Sequence, residues 1–171
     1  MILLITNVFA TVFPVIVYSF IYKFPSVYLK LGLTQKNFAQ FGEIWKLITY
    51  LLEIPLIISS KLNYQGFVIG IPLIIIGQYL NSTVYKLLGE TGVYYGVELG
   101  IIKNPKKLTG FPFNIGDPQY KGAMLTALGA WFLFQSTFEV NIIALSWVLS
   151  YFYIIMVENT PCGRITCLVK N

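Results

Sequence analysis

Charge is what this sequence has least of. Only 11% of its 171 residues are charged, against about 25% in a soluble globular domain, so it lacks the ionic surface that keeps such a body in water. Histidine is absent. With it goes the commonest general base and the commonest metal ligand, which excludes zinc hydrolases and Ser-His or Cys-His nucleophiles. Cysteine is scarce: Cys162 and Cys167 lie near the C-terminus, on the side assigned below to the cytosol, where thiols stay reduced and no disulfide is expected. Neither a metal nor a nucleic-acid partner is expected. Linkers, low-complexity tracts and internal repeats are also missing, so the chain reads as one domain, residues 1–171.

Apolar residues are abundant, 56% of the chain. Crossing a bilayer takes roughly 17 to 25 mainly apolar residues, because only a helix satisfies its own backbone hydrogen bonds in hydrocarbon. Four stretches qualify: 1–22, 44–60, 66–88 and 123–157. The first has no basic n-region and no small-x-small cleavage site, and reads as a retained crossing. The second contains Glu53 and Pro55, both tolerable if that helix faces other helices. The short polar link 61–65 predicts a tight antiparallel hairpin with the third. The last stretch has 35 residues, about 52 Å as one helix against a core of about 30 Å. It is therefore read as two short helices, 123–138 and 142–157, turning around 139–141.

With five crossings, eleven of the twelve basic residues share one side and Lys61 stands alone on the other. Short cytoplasmic loops are enriched in Lys and Arg, so loop 86–121 and the C-terminal tail are assigned to the cytosol. A re-entrant first segment would reduce the crossings to four without moving either piece. The fold expected is thus an all-α integral membrane bundle of four to five transmembrane helices with a short cytosolic loop and a C-terminal tail. The sequon Asn81-Ser82-Thr83 falls inside a crossing and should be silent.

The least membrane-like part lies between the third and fourth stretches. Gly92, Gly96 and Gly100 repeat every four residues, a spacing that lines them on one helix face and serves either helix packing or a flat ligand. Gly66, Gly70 and Gly77 pose the same choice. Segment 111–122 holds two prolines, two glycines, an Asn and an Asp, which exclude a regular helix. Its aromatics, Phe111, Phe113 and Tyr120, either form an interfacial belt or line a site. Asp117 and Glu158, predicted on the same face, would together suit a cationic ligand: an ammonium about 4 Å from a carboxylate gains about 4 kcal/mol at an effective dielectric of 20. A methylated cation over a Tyr or Trp face adds about 0.5 to 2. Lys103, Lys106 and Lys107 either hold anionic lipid or mark topology.

Gly110-Phe111-Pro112-Phe113-Asn114-Ile115-Gly116-Asp117-Pro118-Gln119-Tyr120-Lys121-Gly122, followed by Leu128-Gly129-Ala130-Trp131, resembles the signature of the phospholipid methyltransferases that act on phosphatidylethanolamine and its methylated forms. Leu88-Gly89-Glu90-Thr91-Gly92, with Gly96 and Gly100, is similar to that family's glycine-rich approach. The likeness runs from about residue 66 to 158. It implies a membrane enzyme that moves a methyl group from S-adenosylmethionine (S-adenosyl-L-methionine) to a lipid amine on the way to phosphatidylcholine, in the endoplasmic reticulum of a eukaryote. The family's Gly-x-Gly cofactor motif falls on Ile75, Ile76 and Gly77, so only the second glycine is present. Its glutamate pair falls on Val157-Glu158, with Asn159 next. By this resemblance Glu158 and Asn159 hold the cofactor's amino group, Gly77 admits the cofactor to the helix backbone, and Pro118, Tyr120 and Gly122 form the opposite wall with Asp117. Glu98 and Tyr95 are the candidates to accept the ammonium proton, and Asp117 is the third candidate catalytic group.

The related carboxyl methyltransferases of prenylated cysteine have His before that proline and Arg before the Glu pair. This chain has Asp117 and no such Arg, which favours an amine acceptor. Other classes are a non-catalytic scaffold, a small transporter, and a nicotinamide-dependent reductase. A transporter should carry paired polar residues in mid-crossing, which are scarce here apart from Glu53 and Glu139. Arg164 alone gives little to bind extra phosphates. The partners expected are the bilayer and a phospholipid substrate, and no oligomeric state is read from the sequence.

Overall fold

The computed structural model describes residues 1–105, 108–134 and 137–159. The expectations attached to Lys106, Lys107, Cys162, Arg164, Cys167 and Lys170 lie outside these residues. Among the described residues, six α-helices make most of the fold: α1 (Ile2–Lys23), α2 (Pro25–Lys30), α3 (Gln35–Ser59), α4 (Phe67–Val93), α5 (Pro118–Leu133) and α6 (Phe138–Asn159). The chain is an all-helical membrane bundle. Among the described residues, three helices are long and apolar enough to cross a bilayer: Ile2–Lys23, Tyr64–Val93 and Phe138–Asn159. The four or five crossings expected would also need α3, made more polar by Lys36, Glu43, Lys46 and Glu53, and α5, which has only 16 residues.

Local signals explain where the helices begin and end. Thr34 and Asn37 form a reciprocal capping box at the start of α3. The apolar run 123–157 does split, but earlier than expected: α5 ends at Leu133 and Glu139 and Asn141 sit in the first turn of α6. Thr137 decides this. Its Oγ1 accepts from Val140 N at 3.3 Å, and Glu139 favours the positive end of the helix dipole. At the other end α5 starts at Pro118, inside the segment read as non-helical, because proline is suited to the first helical position. The glycine ladder is also corrected. Helix α4 is broken at Gly89 (φ 68°) and ends at Val93; residues 94–100 are turns in which Tyr95 (φ 54°) and Gly100 (φ 74°) are left-handed. Gly92, Gly96 and Gly100 therefore share no helix face.

Packing follows the rules of helices in lipid, where small residues and interhelical hydrogen bonds replace the hydrophobic effect. Trp45 Nε1 and Thr49 Oγ1 both donate to the Ala10 carbonyl, at 2.7 and 3.2 Å, and Asn7 Nδ2 donates to Leu52 O, so α3 is fastened to α1. Helices α4 and α5 meet through opposed glycines. A Cβ on Gly70 would lie 2.7 Å from Gly129 O, and one on Gly129 would lie 2.6 Å from Gly70 O. Link 61–65 is short as expected, and Asn63 N donates to Leu133 O. The two helices it joins nevertheless touch little, and a cavity lies between them. Glu53 faces the bundle, accepting from Trp147 Nε1 at 2.6 Å. Trp147→Phe should remove that donor and cost about 1–3 kcal/mol, read as a lower thermal midpoint in detergent. An unchanged midpoint would mean that cavity water hydrates Glu53.

Candidate active site

Three elements bring the central group together. Glu158 stands in the last turn of α6, Tyr95 in the turn after α4, and Tyr120 in the first turn of α5. Both tyrosine hydroxyls donate to the same carboxylate oxygen, Oε1, at 2.5 Å. That distance lies in the range of O–H···O⁻ bonds. Tyr95 is 6% exposed. Burial first, then the neighbouring Tyr120 and Glu158, hold its phenol well above the usual range, so it remains a donor. Tyr22, at the end of α1, donates to the Glu158 main-chain carbonyl at 2.9 Å and fixes the helix end from the far side.

Beside this cluster, Asn159 Nδ2 donates to Asp117 Oδ2 at 2.8 Å, tying the end of α6 to the residue that precedes α5. Asp117 is left-handed (φ 47°), which turns the chain sharply into Pro118. The loop before residue 123 and the acid at 158 thus meet at one end of the bundle. Glu98, half-buried in the turn that carries Tyr95, has its carboxyl raised by burial.

Not every residue singled out in the sequence comes to this place. Ile75 and Ile76 are 62% and 49% exposed on the outside of α4. Gly77 is buried against α5: a Cβ there would meet the Gly122 carbonyl and lie 2.5 Å from Thr126 Oγ1, and one on Gly122 would lie 2.6 Å from Gly77 O. These two glycines face each other.

Next to the cluster opens a cavity of about 240 Å³ between α3, α4, α5 and α6. Tyr120 belongs to both, lining the cavity while it bonds Glu158. Tyr151 and Trp147 continue inward from Tyr120, the Tyr120–Tyr151 pair tilted at a centroid distance of 6.1 Å and the Tyr151–Trp147 pair stacked at 5.6 Å. Lys46, Tyr50 and Glu53 of α3 also line the cavity, and Tyr50 and Glu53 meet Trp147 there. The sequence alone places Glu53 against other helices but does not connect α3 with the site, nor does it point to Tyr22 and Lys46. No motif marks them. The signals available are a tyrosine near the end of apolar α1 and a lysine seven residues before Glu53 in α3.

The phospholipid methyltransferase family matches residues 66–165. A phosphatidyl-N-methylethanolamine N-methyltransferase of Arabidopsis thaliana is 43% identical over 91 residues, which are 52% of this chain and 50% of the relative. The chain therefore spans about half the length of the curated relative it matches. No solved structure matches it. The matched region covers more than half of the chain and includes α4, α5, α6 and the acid–tyrosine cluster between them, and the chain belongs to the phospholipid methyltransferase family.

Proposed function

We propose that this protein methylates the amine of phosphatidylethanolamine or of its mono- and dimethylated forms, with S-adenosylmethionine as methyl donor. The observation that carries the reading is the carboxylate of Glu158, held by the buried Tyr95 and the half-buried Tyr120 beside a cavity that a lipid head-group could enter. The donor set fits an α-amino group: both tyrosine bonds fall on Oε1, and among the described residues Oε2 takes no hydrogen bond. Glu158 would hold that ammonium, and Asp117 with Asn159 would keep the adjoining loop closed against α6. S-adenosylmethionine supplies a methyl group on a sulfonium, which needs no covalent enzyme intermediate.

The rest is positioning and proton control. Good alignment of donor and acceptor alone is worth about 7–11 kcal/mol, and the cavity wall of Tyr120, Tyr151 and Trp147 excludes water around the amine. Desolvation disfavours the ammonium form and so frees the lone pair. Of the two groups considered as proton acceptors, Tyr95 is committed as a donor to Glu158. Glu98, with its carboxyl raised by burial, is the better acceptor.

As one domain spanning 1–171, the protein would sit in the endoplasmic reticulum with loop 86–122 and the C-terminus cytosolic, in reach of a water-soluble donor. The test is to purify the chain, supply methyl-labelled S-adenosylmethionine, and follow label into phosphatidylethanolamine and its N-methyl and N,N-dimethyl forms. Phosphatidyl-N-methylethanolamine, the acceptor in the relative's name, is the first to try. Label in at least one lipid is expected, and none in any of the three would overturn the reading.

A further inference from the structure

The family match begins at residue 66, yet one wall of the cavity comes from α3, which precedes it. Lys46, Tyr50 and Glu53 stand at i, i+4 and i+7 on α3, one face of a helix, and all three line the cavity. Lys46 is half-buried, and its ammonium lies over the Tyr85 ring at 5.9 Å from the centroid. Among the described residues it makes no ion pair. Asn81 and Gln119 line the same end, and no hydrogen bond from another described residue reaches either side-chain amide. This end adjoins Tyr120 and so the Glu158 cluster.

Away from it the wall is mainly apolar, through Ala127 and Ala130 of α5 and Ile143 and Ala144 of α6, with the Glu53 carboxyl engaged by Trp147. The small side chains on α5 leave room for an alkyl chain. A cation and two unengaged amides beside the acid cluster, with a mainly apolar continuation, match a phosphodiester and the start of its acyl chains. A half-buried ammonium that makes no ion pair among the described residues leaves a place for an anion.

We propose that Lys46 binds the phosphodiester of the acceptor lipid and so positions its amine beside Glu158, a specificity-determining role supplied from outside the family-matched segment. This rests on the reading of the chain as a phospholipid methyltransferase. The other anion within reach would be the carboxylate of the methyl donor, and the experiment separates the two.

Initial rates are measured in mixed detergent micelles with dioleoyl phosphatidyl-N-methylethanolamine and with a phosphate-free analogue carrying the N-methylamino group on a diacylglyceryl ether. K46Q should raise the KM for the phospholipid about tenfold, with the KM for the donor unchanged, and K46R should restore most of it. The wild type should lose about the same factor on the phosphate-free analogue, and K46Q should lose nothing further. An unchanged phospholipid KM, a rise in the donor KM instead, or an equal K46Q penalty on both lipids would each overturn the proposal. If K46Q does not fold, the wild-type comparison of the two lipids and K46R decide it. Quenching of tryptophan fluorescence by a brominated-acyl form of the same phospholipid gives binding without turnover. Wild-type binding that weakens about tenfold in K46Q, with no label transferred to any lipid, would sink the enzymatic reading and leave Lys46 as a lipid ligand.

Discussion

Glu158→Gln should lower kcat/KM for the methyl donor about 100-fold, close to 2.7 kcal/mol of transition-state stabilisation. The reason lies in what each form of the side chain can offer. Glutamine keeps a carbonyl oxygen for the hydroxyls of Tyr95 and Tyr120, which stand 2.5 Å from Oε1, so the three-element joint should survive. It loses the negative charge that an α-ammonium would need, and hydrogen bonds to charged groups contribute about 1.5–3 kcal/mol each. Tyr120→Phe removes one of the two supports and leaves the other, and should cost nearer to tenfold, about 1.4 kcal/mol. The measurement is the initial rate of labelled methyl transfer into lipid over a range of donor concentrations, with the thermal midpoint recorded for each variant. A wild-type rate in the Glu158→Gln, Tyr120→Phe double variant would remove this cluster from the mechanism, whatever the fate of the methyltransferase reading itself.

The second large effect is on stability. Gly77→Val should destabilise the bundle by about 3 kcal/mol, the upper end for overpacking, because the atom its Cβ would meet is the backbone carbonyl of Gly122 and not a flexible side chain. For a chain of this size that corresponds to a fall in thermal midpoint on the order of 5–10 °C. Gly122→Val should behave alike, since its Cβ would lie 2.6 Å from Gly77 O. The resemblance gives Gly77 the task of admitting the cofactor to the helix backbone, and the two roles make opposite forecasts. If Gly77 serves the α4–α5 contact, the folded fraction of Gly77→Ala keeps the wild-type KM for the donor and the midpoint drops. A raised donor KM at an unchanged midpoint would restore the cofactor role.

The sequence by itself determined a good deal. Apolar runs fixed α1, α4 and α6 as membrane-length helices, since backbone polar groups in hydrocarbon must be satisfied within a helix. The 35-residue run had to break, being about 20 Å too long for one crossing, and the only error was to seat the turn on Glu139 and Asn141 when Thr137 caps the helix before them. The proline- and glycine-rich signature and the acid near the end of the last helix carried the family. Tertiary structure alone decided which faces meet. In a bundle surrounded by lipid the outward and inward sides of a helix are both apolar, so hydropathy could not tell exposed Ile75 and Ile76 from buried Leu80 and Val84 on the same helix. The rotation of α4 that sets Gly77 on Gly122 was therefore hidden. So were the approach of Tyr95 to Glu158 across 63 residues and that of Tyr22 across 136, and the turn of α3 that sends Lys46 and Glu53 into the cavity. Those contacts depend on how rigid helices cross, a property of pairs of surfaces that no single segment encodes.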